Sequence, residues 1–426
     1  MNYYDLVNKC NLISPFTAWG KCDQNKFALG CKTLWWDSKN PENELNVFGE
    51  NIQEFDKKVD EIYKNKILNQ FSKKEIENFI VKVLVSLHFT DKSTTKADNE
   101  LRTTWENLLN REDIAYDVFT PIYGVEIDKI TKIGNFTAYN YADFKNLMEN
   151  NSASPEDALP SIFDEEAGNE FNYLKISVNA KSAQRATELA KPQFELFECV
   201  AKFLTSGMFG FSDSVDIGIF NYKKLNSHRI SVVTQNGLVS KTTSFQGAST
   251  SVSISHLYQF PIFRKIWEIL KKNIEKKSTE FENRLVNAIR WVSMAHSENS
   301  DAVRCVQYVF ALESLLANNP KRDFITPSVA YQLAEYSAFI VGENITNNKI
   351  PKAEIRKRIF DDVKKMYSLR SSIVHGNGKD TAKEDLRLAR NLIYQIIFAV
   401  VQNKSILSFT SMKELSDWIK ELKFSS

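Results

Sequence analysis

The strongest apolar rhythm in the chain is Ile355, Ile359, Val363 and Met366, spaced four, four and three apart, which is one face of a helix. The next step of four falls on Arg370, and the stripe resumes at Ile373 and Val374. An arginine inside such a stripe is expected to be paired in the core or presented at an interface. His375 occupies the last turn, before Gly376-Asn377-Gly378. A glycine just past the last helical residue is a usual stop, because it takes positive φ without strain.

The same rhythm predicts a helical C-terminal part from about residue 279 to 426. Leu285, Ile289 and Val292 mark a helix ending near His296. Asp301 to Ala317 is apolar on nearly every side and is expected at the centre of the core. Thr326-Pro327 supplies an N-cap and a first-position proline for a helix reaching Gly342. Ala353 to His375 follows, then a helix from Thr381 through Val400, and Ser411-x-x-Glu414 opens a short last one. Glu313 falls on the stripe Val306, Phe310, Ala317, a buried position by pattern. A buried carboxylate needs a partner, and Arg370 is the candidate; the alternative is a surface glutamate on the helix flank.

The remainder is mixed, so the fold class expected is α+β. Residues 1–150 form an N-terminal α/β region. Leu34-Trp35-Trp36 reads as a short strand, Asn51 to Phe89 as helix, Asn99 to Asn110 as another helix, and 115–145 as strands. His88, in an apolar segment, is expected in the core. The polar, acidic stretch 150–168 reads as a loop. Residues 171–260 read as a second α+β unit: a strand at Tyr173–Val178, a helix over about 182–204 interrupted or kinked at Pro192, and a hairpin turning at Asn236-Gly237. Residues 261–278 read as a basic amphipathic helix with Arg264, Lys265, Lys271, Lys272, Lys276 and Lys277 and an apolar face of Ile262, Ile266, Leu270 and Ile274, either a solvated linker between domains or an RNA-contacting face.

Net charge is only +2 over 426 residues, so any nucleic-acid site has to be a local patch. Five cysteines, an odd number with no C-x-x-C, read as free thiols and not as a disulfide framework or zinc site. Cys10, Cys22 and Cys31 are the one set that could gather a metal; no metal and no cofactor is expected. No P-loop, dinucleotide fingerprint or H-E-x-x-H occurs. No signal segment and no apolar run of membrane-spanning length is apparent, so a cytoplasmic location without membrane contact is expected.

The segment Tyr367-Ser-Leu-Arg370-Ser-Ser-Ile-Val-His375-Gly376 resembles the R-x4-6-H motif of HEPN-domain ribonucleases, and more closely the Apea-like HEPN family, with its Tyr-x-x-Arg-Ser-x-x-Val-His-Gly pattern. Arg284-Leu-Val-Asn-Ala-Ile-Arg-Trp and Phe310-Ala-Leu-Glu313-Ser-Leu-Leu precede it in the family's order. The resemblance spans about 280–405 and implies a bundle of four or five helices forming a nuclease domain over 279–426. It also implies a homodimer in which both motifs meet, with Glu313 supporting the motif arginine. A second match to the bare spacing, Arg290 to His296, lacks the flanking pattern.

These residue types suit RNA cleavage. RNA carries its own nucleophile, the 2′-hydroxyl. A histidine moves protons near neutral pH, and a fork-shaped, permanently charged arginine holds phosphate oxygens. Arg370 and His375 are therefore the expected catalytic pair. Ser371 is expected to orient substrate or to be a plain helix-surface serine, and Tyr367 to pack against Arg370 or to stack on a base. By resemblance the activity is that of a metal-independent endoribonuclease acting on single-stranded RNA, tRNA or mRNA, leaving a 2′,3′-cyclic phosphate and a 5′-hydroxyl. The family's setting is antiphage defence and toxin systems, which would make the N-terminal region a sensor for a phage-derived trigger. The alternative is a non-catalytic HEPN module for dimerisation or RNA binding.

Overall fold

The structure, a computed structural model, describes residues 1–19, 31–36, 44–89, 95–151, 172–208, 217–219, 228–234, 237–244, 251–317, 329–345, 350–375 and 382–424. The expected acidic loop, the Asn236 turn position, the Thr326-Pro327 helix start and the Gly376-Asn377-Gly378 stop lie outside these residues, apart from the ends of the acidic stretch. The architecture is α+β, with sheets in the N-terminal half and helices in the C-terminal part. The chain forms two compact units, Met1–Val118 with Ser177–Lys191, and Phe119–Ile176 with Pro192–Ser426.

The first unit opens with α1 (Tyr3–Ile13), capped by Asn2, whose side chain accepts from the Asp5 amide at 2.8 Å. A three-stranded antiparallel sheet follows, with β3 (Glu44–Phe48) between β1 (Ala18–Trp19) and β2 (Cys31–Trp36). Helices α2 (Asn51–Tyr63), α3 (Lys73–Phe89) and α4 (Thr95–Leu109) complete it. Phe55, Phe71, Ile76, Ile80 and Trp105 are fully buried among them. His88, expected in the core, is exposed, and Leu87 beside it is exposed too. The apolar stripe of α3 outruns the core, which ends with Val83 and Leu84.

A five-stranded sheet has the order β6-β7-β8-β4-β9. Its strands are β4 (Ile114–Tyr123), β6 (Thr131–Ile133), β7 (Phe136–Tyr139), β8 (Asn172–Ala180) and β9 (Gly218–Ile219). Neighbours β6–β7, β7–β8 and β4–β9 run antiparallel, with Phe136 opposite Ile176 and Tyr139 opposite Tyr173. The short β5 (Val125–Glu126) pairs in parallel with β12 (Val252–Ser253). Strands β10 (His228–Thr234) and β11 (Gly237–Ser244) pair antiparallel, and Gly237, expected in the turn, lies opposite Thr234 at the start of the return strand. Residues 141–151, which the alternation in 115–145 did not mark, form helix α5 (Tyr141–Asn151), and its Phe144 stacks on Tyr173 at 3.7 Å. Helix α6 (Ala183–Met208) runs through Pro192 without ending. In its second half Phe194 and Phe197 meet Phe136, and Phe197 meets Trp267 at 5.0 Å.

Helix α7 (Pro261–Ile274), expected as a linker, buries Phe263, Ile266, Trp267, Ile269 and Leu270 and packs against helices of the bundle. Burying each such side chain stabilises the fold by about 1.5–3 kcal/mol. Lys272 is drawn to the buried Glu282 at 2.7 Å, so part of the basic face is neutralised internally. The bundle itself is α8 (Glu280–His296), α9 (Asp301–Leu316), α10 (Val329–Asn344), α11 (Lys352–Val374) and α12 (Lys383–Gln402), with α13 (Lys404–Ser408) and α14 (Met412–Phe424) closing it. Thr279 and Glu282 form a reciprocal cap on α8, at 3.1 and 3.0 Å. Helix α9 packs against α8, α10, α11 and α12 through Cys305, Tyr308, Val309, Leu312, Leu315 and Leu316. It is not covered all round, however. Val306, Phe310 and Ala317 are only half-buried, and Val303 is 41% exposed. No helix among the described residues is long and apolar enough to cross a membrane.

Candidate functional site

The site is built by α11 and the uncovered face of α9. Ile355, Ile359, Val363 and Met366 are buried, as their spacing requires, and they fix the rotation of α11 about its axis. Arg370 then lies at the margin of the buried stripe and is half-buried. Its guanidinium carbon stands 5.5 Å from the centre of the Phe310 ring and 5.9 Å from that of Tyr367. Phe310 is backed by Trp291 of α8, edge-on at 5.1 Å. The Nε atom of Arg370 is buried and has no hydrogen-bond acceptor. The cation is therefore seated on aromatic faces, which attract it through the ring quadrupole, while part of its hydrogen-bonding capacity is unused.

Glu313, one turn beyond Phe310 on α9, is half-buried and not buried outright as the pattern suggested. Burial pushes its carboxyl above the usual range; the positive charge of Arg370 and the hydroxyl of Tyr367 pull the other way without reversing it. Arg370 thus acts on Glu313 through space, and the two do not close an ion pair within 4 Å. Arg370, Tyr367, Glu313 and Phe310 form one cluster.

His375 lies apart from that cluster. It is the C-cap of α11, its backbone N–H donates to the Ser371 carbonyl at 3.1 Å, and its side chain is exposed. Five residues of α-helix turn the chain by roughly 140° beyond a full turn. Arg370 accordingly faces α9, whereas His375 faces outward. Ser371 is half-buried, and Ser372 hydrogen-bonds back to the Leu369 carbonyl at 2.9 Å.

The other arginine–histidine pair is arranged differently. Arg290 is exposed, but the Nε2 atom of His296 lies 2.8 Å from the hydroxyl of Tyr394, which donates to the Phe203 carbonyl at 3.0 Å. That chain of hydrogen bonds ties α6, α8 and α12 together inside the bundle, and burial pushes the Tyr394 hydroxyl well above its ordinary range.

Among the described residues no group of three or more His, Cys, Asp or Glu side chains is placed to hold a metal ion. Cys10 is buried and its thiol is pushed up to about 12 by burial, which disfavours the thiolate a metal would need. Cys31 is half-buried with Sγ 3.7 Å from the Asn46 amide oxygen, and Cys22 lies outside the described residues.

Phe310 and Trp291 were not singled out as site residues by sequence. The pattern put Phe310 on the same buried stripe as Glu313, three residues before it, so nothing in the sequence set Phe310 or Trp291 apart from ordinary core aromatics. Comparison of the chain with protein-family models, with curated proteins and with solved structures found no match.

Proposed function

We propose that this chain is a metal-independent endoribonuclease of the HEPN type that works as a homodimer. The observation that carries the reading is the seating of Arg370: a permanent cation at the surface of the bundle, held on Phe310 and Tyr367 with part of its donor capacity unused, five residues before an exposed histidine. Such an arginine is poised to take phosphate oxygens as charge builds in a phosphorane. His375 removes the proton from the 2′-hydroxyl or delivers one to the leaving 5′-oxygen, and the products are a 2′,3′-cyclic phosphate and a 5′-hydroxyl.

One chain turns Arg370 and His375 in different directions, so a site that needs both draws them from two copies. The uncovered apolar face supports this. Val303, Met294 and Val374 are 41, 49 and 52% exposed, and the half-buried Val306, Phe310 and Trp291 lie on α9 and α8, beside Val303 and Met294. A two-fold pairing of this face brings the same residues of both copies together. In this reading the protein acts in the cytoplasm, and residues 1–260 sense a phage-derived trigger as part of antiviral defence.

The aromatic seating of Arg370 and its pull on Glu313 also favour a second reading, in which these residues hold a non-catalytic dimerisation or RNA-binding module together. Cleavage of a pooled tRNA and mRNA preparation in EDTA, with and without phage lysate, separates the two. Cutting that disappears in both Arg370→Ala and His375→Ala supports the nuclease; cutting that survives both removes these residues from the chemistry. Overexpression toxicity abolished by His375→Ala would be the cellular counterpart.

A further inference from the structure

The cations of α11 fall into two groups. Lys352 and Arg356 are both paired with Glu343, and Lys365 is paired with Asp385 at 2.8 Å. Lys357 and Lys364 are exposed, and neither enters an ion pair among the described residues. Lys364 rests its ammonium 5.7 Å from the Phe360 ring.

Helical geometry gives the unpaired lysines a common direction. Lys357 and His375 are eighteen residues apart, which is five whole turns, so they share one line along the helix. Lys364 and Ser368 each deviate from that line by only about 20°. Lys357 and Lys364 are separated by about 10 Å along the axis, and Lys364 stands about 16 Å before His375. Two exposed acids flank the line on one side, Asp361 at about 40° and Glu354 at about 60°, and no ion pair joins either to Lys357 or Lys364. Arg358, about 100° from that line, is exposed and enters no ion pair either, so what sets Lys357 and Lys364 apart is their common line to His375.

We infer that the exposed face of α11 carrying Lys357 and Lys364 is a track for the phosphate backbone of a single-stranded polynucleotide, leading to His375. The inference rests on the nuclease reading and deepens it: the substrate is a strand long enough to reach back along α11, and not a mononucleotide or dinucleotide. Two ammonium groups that close no ion pair within the protein hold backbone phosphates without reading bases, so the track is indifferent to sequence.

The test uses the full-length protein and a 2′-O-methyl RNA oligonucleotide, which binds but lacks the nucleophile. Binding is measured across a range of salt concentrations for wild type, Lys357→Ala/Lys364→Ala, the charge-keeping Lys357→Arg/Lys364→Arg, and Arg358→Ala on another face. The track predicts that the double alanine variant lowers the magnitude of the slope of log affinity against log salt by about 1.4, roughly 0.7 per cation on single strands. The arginine pair restores the slope, and Arg358→Ala leaves it unchanged. Cleavage of a long RNA falls in the double alanine variant, while that of a dinucleotide does not. Equal slopes for wild type and the double alanine variant would overturn the track and leave the nuclease standing, provided Arg370→Ala and His375→Ala still abolish cutting. If wild type neither binds the oligonucleotide nor cuts any RNA with lysate present, track and nuclease fall together.

Discussion

Arg370 of α11 holds its guanidinium 5.5 Å from the ring of Phe310 on α9, and this pairing joins the candidate chemistry to the uncovered face of the bundle. A cation over an aromatic ring at a partly exposed site contributes about 0.5–1 kcal/mol. That small sum is offset in part by the buried, unpartnered Nε. Arg370→Ala is therefore expected to change stability by less than about 1 kcal/mol while lowering RNA cleavage by roughly 10²–10³-fold. Paired thermal melts and cleavage assays decide it; a large loss of stability would mean that Arg370 is chiefly structural.

The two histidines make a contrast that separates chemistry from folding. His375 is exposed beyond the last turn of α11, so His375→Ala is expected to stay within about 0.5 kcal/mol of wild type and to lose roughly 10²–10⁴-fold in cleavage. His296 is tied to the buried Tyr394, so His296→Ala removes one of that hydroxyl's hydrogen bonds while those with the Phe203 carbonyl and Ser206 remain, at a cost of about 0.5–1.5 kcal/mol. Chemical denaturation of both variants checks the contrast, and reversed magnitudes would contradict the assignment.

Glu313 gives a pH signature. Burial holds its proton to higher pH in the folded chain than in the unfolded one, with Arg370 and Tyr367 opposing but not cancelling the effect. The folded state is thus favoured in acid, and that contribution is lost as pH rises through the raised carboxylate range. Glu313→Gln cannot ionise. It is expected to melt above wild type at neutral pH and to lose that advantage on acidification. A wild-type protein that gains on the variant as pH rises would show the sign to be wrong.

The dimer is open to direct complementation. Arg370→Ala and His375→Ala proteins are each expected to be inactive. Unfolded together and refolded, they form mixed dimers holding one arginine and one histidine in separate chains, and partial cleavage returns. Val303→Glu, which places a charge on the apolar face, is expected to halve the mass in sedimentation and abolish cutting. A fully active monomer would remove the two-copy site.

Much of the C-terminal part was legible in advance because helices write their own periodicity. Ile355, Ile359, Val363 and Met366 are buried as their spacing demanded, and so are Leu285, Ile289 and Val292 of α8. Tyr141–Asn151 escaped because Tyr141 and the strand before it continue one apolar run, so the change of period is hidden. The basic residues of α7 suggested a solvated connector, yet its other face carries Phe263 and Trp267 into the core. Charge on one face says nothing about what covers the other.

Local sequence determined the helices and strands, the position of Arg370 within an apolar stripe, and His375 at a helix end. Only the tertiary structure decided that α9 keeps one face bare, that Phe310 on that face meets Arg370, and that Glu313 is acted on through space without an ion pair. It also decided that compact units assemble from separated stretches of chain. The physical reason is that periodicity records which side of an element is apolar, whereas the identity of the neighbour depends on how distant elements pack. An all-round apolar helix such as α9 is compatible with burial on every side, or with burial on one side and an uncovered face on the other.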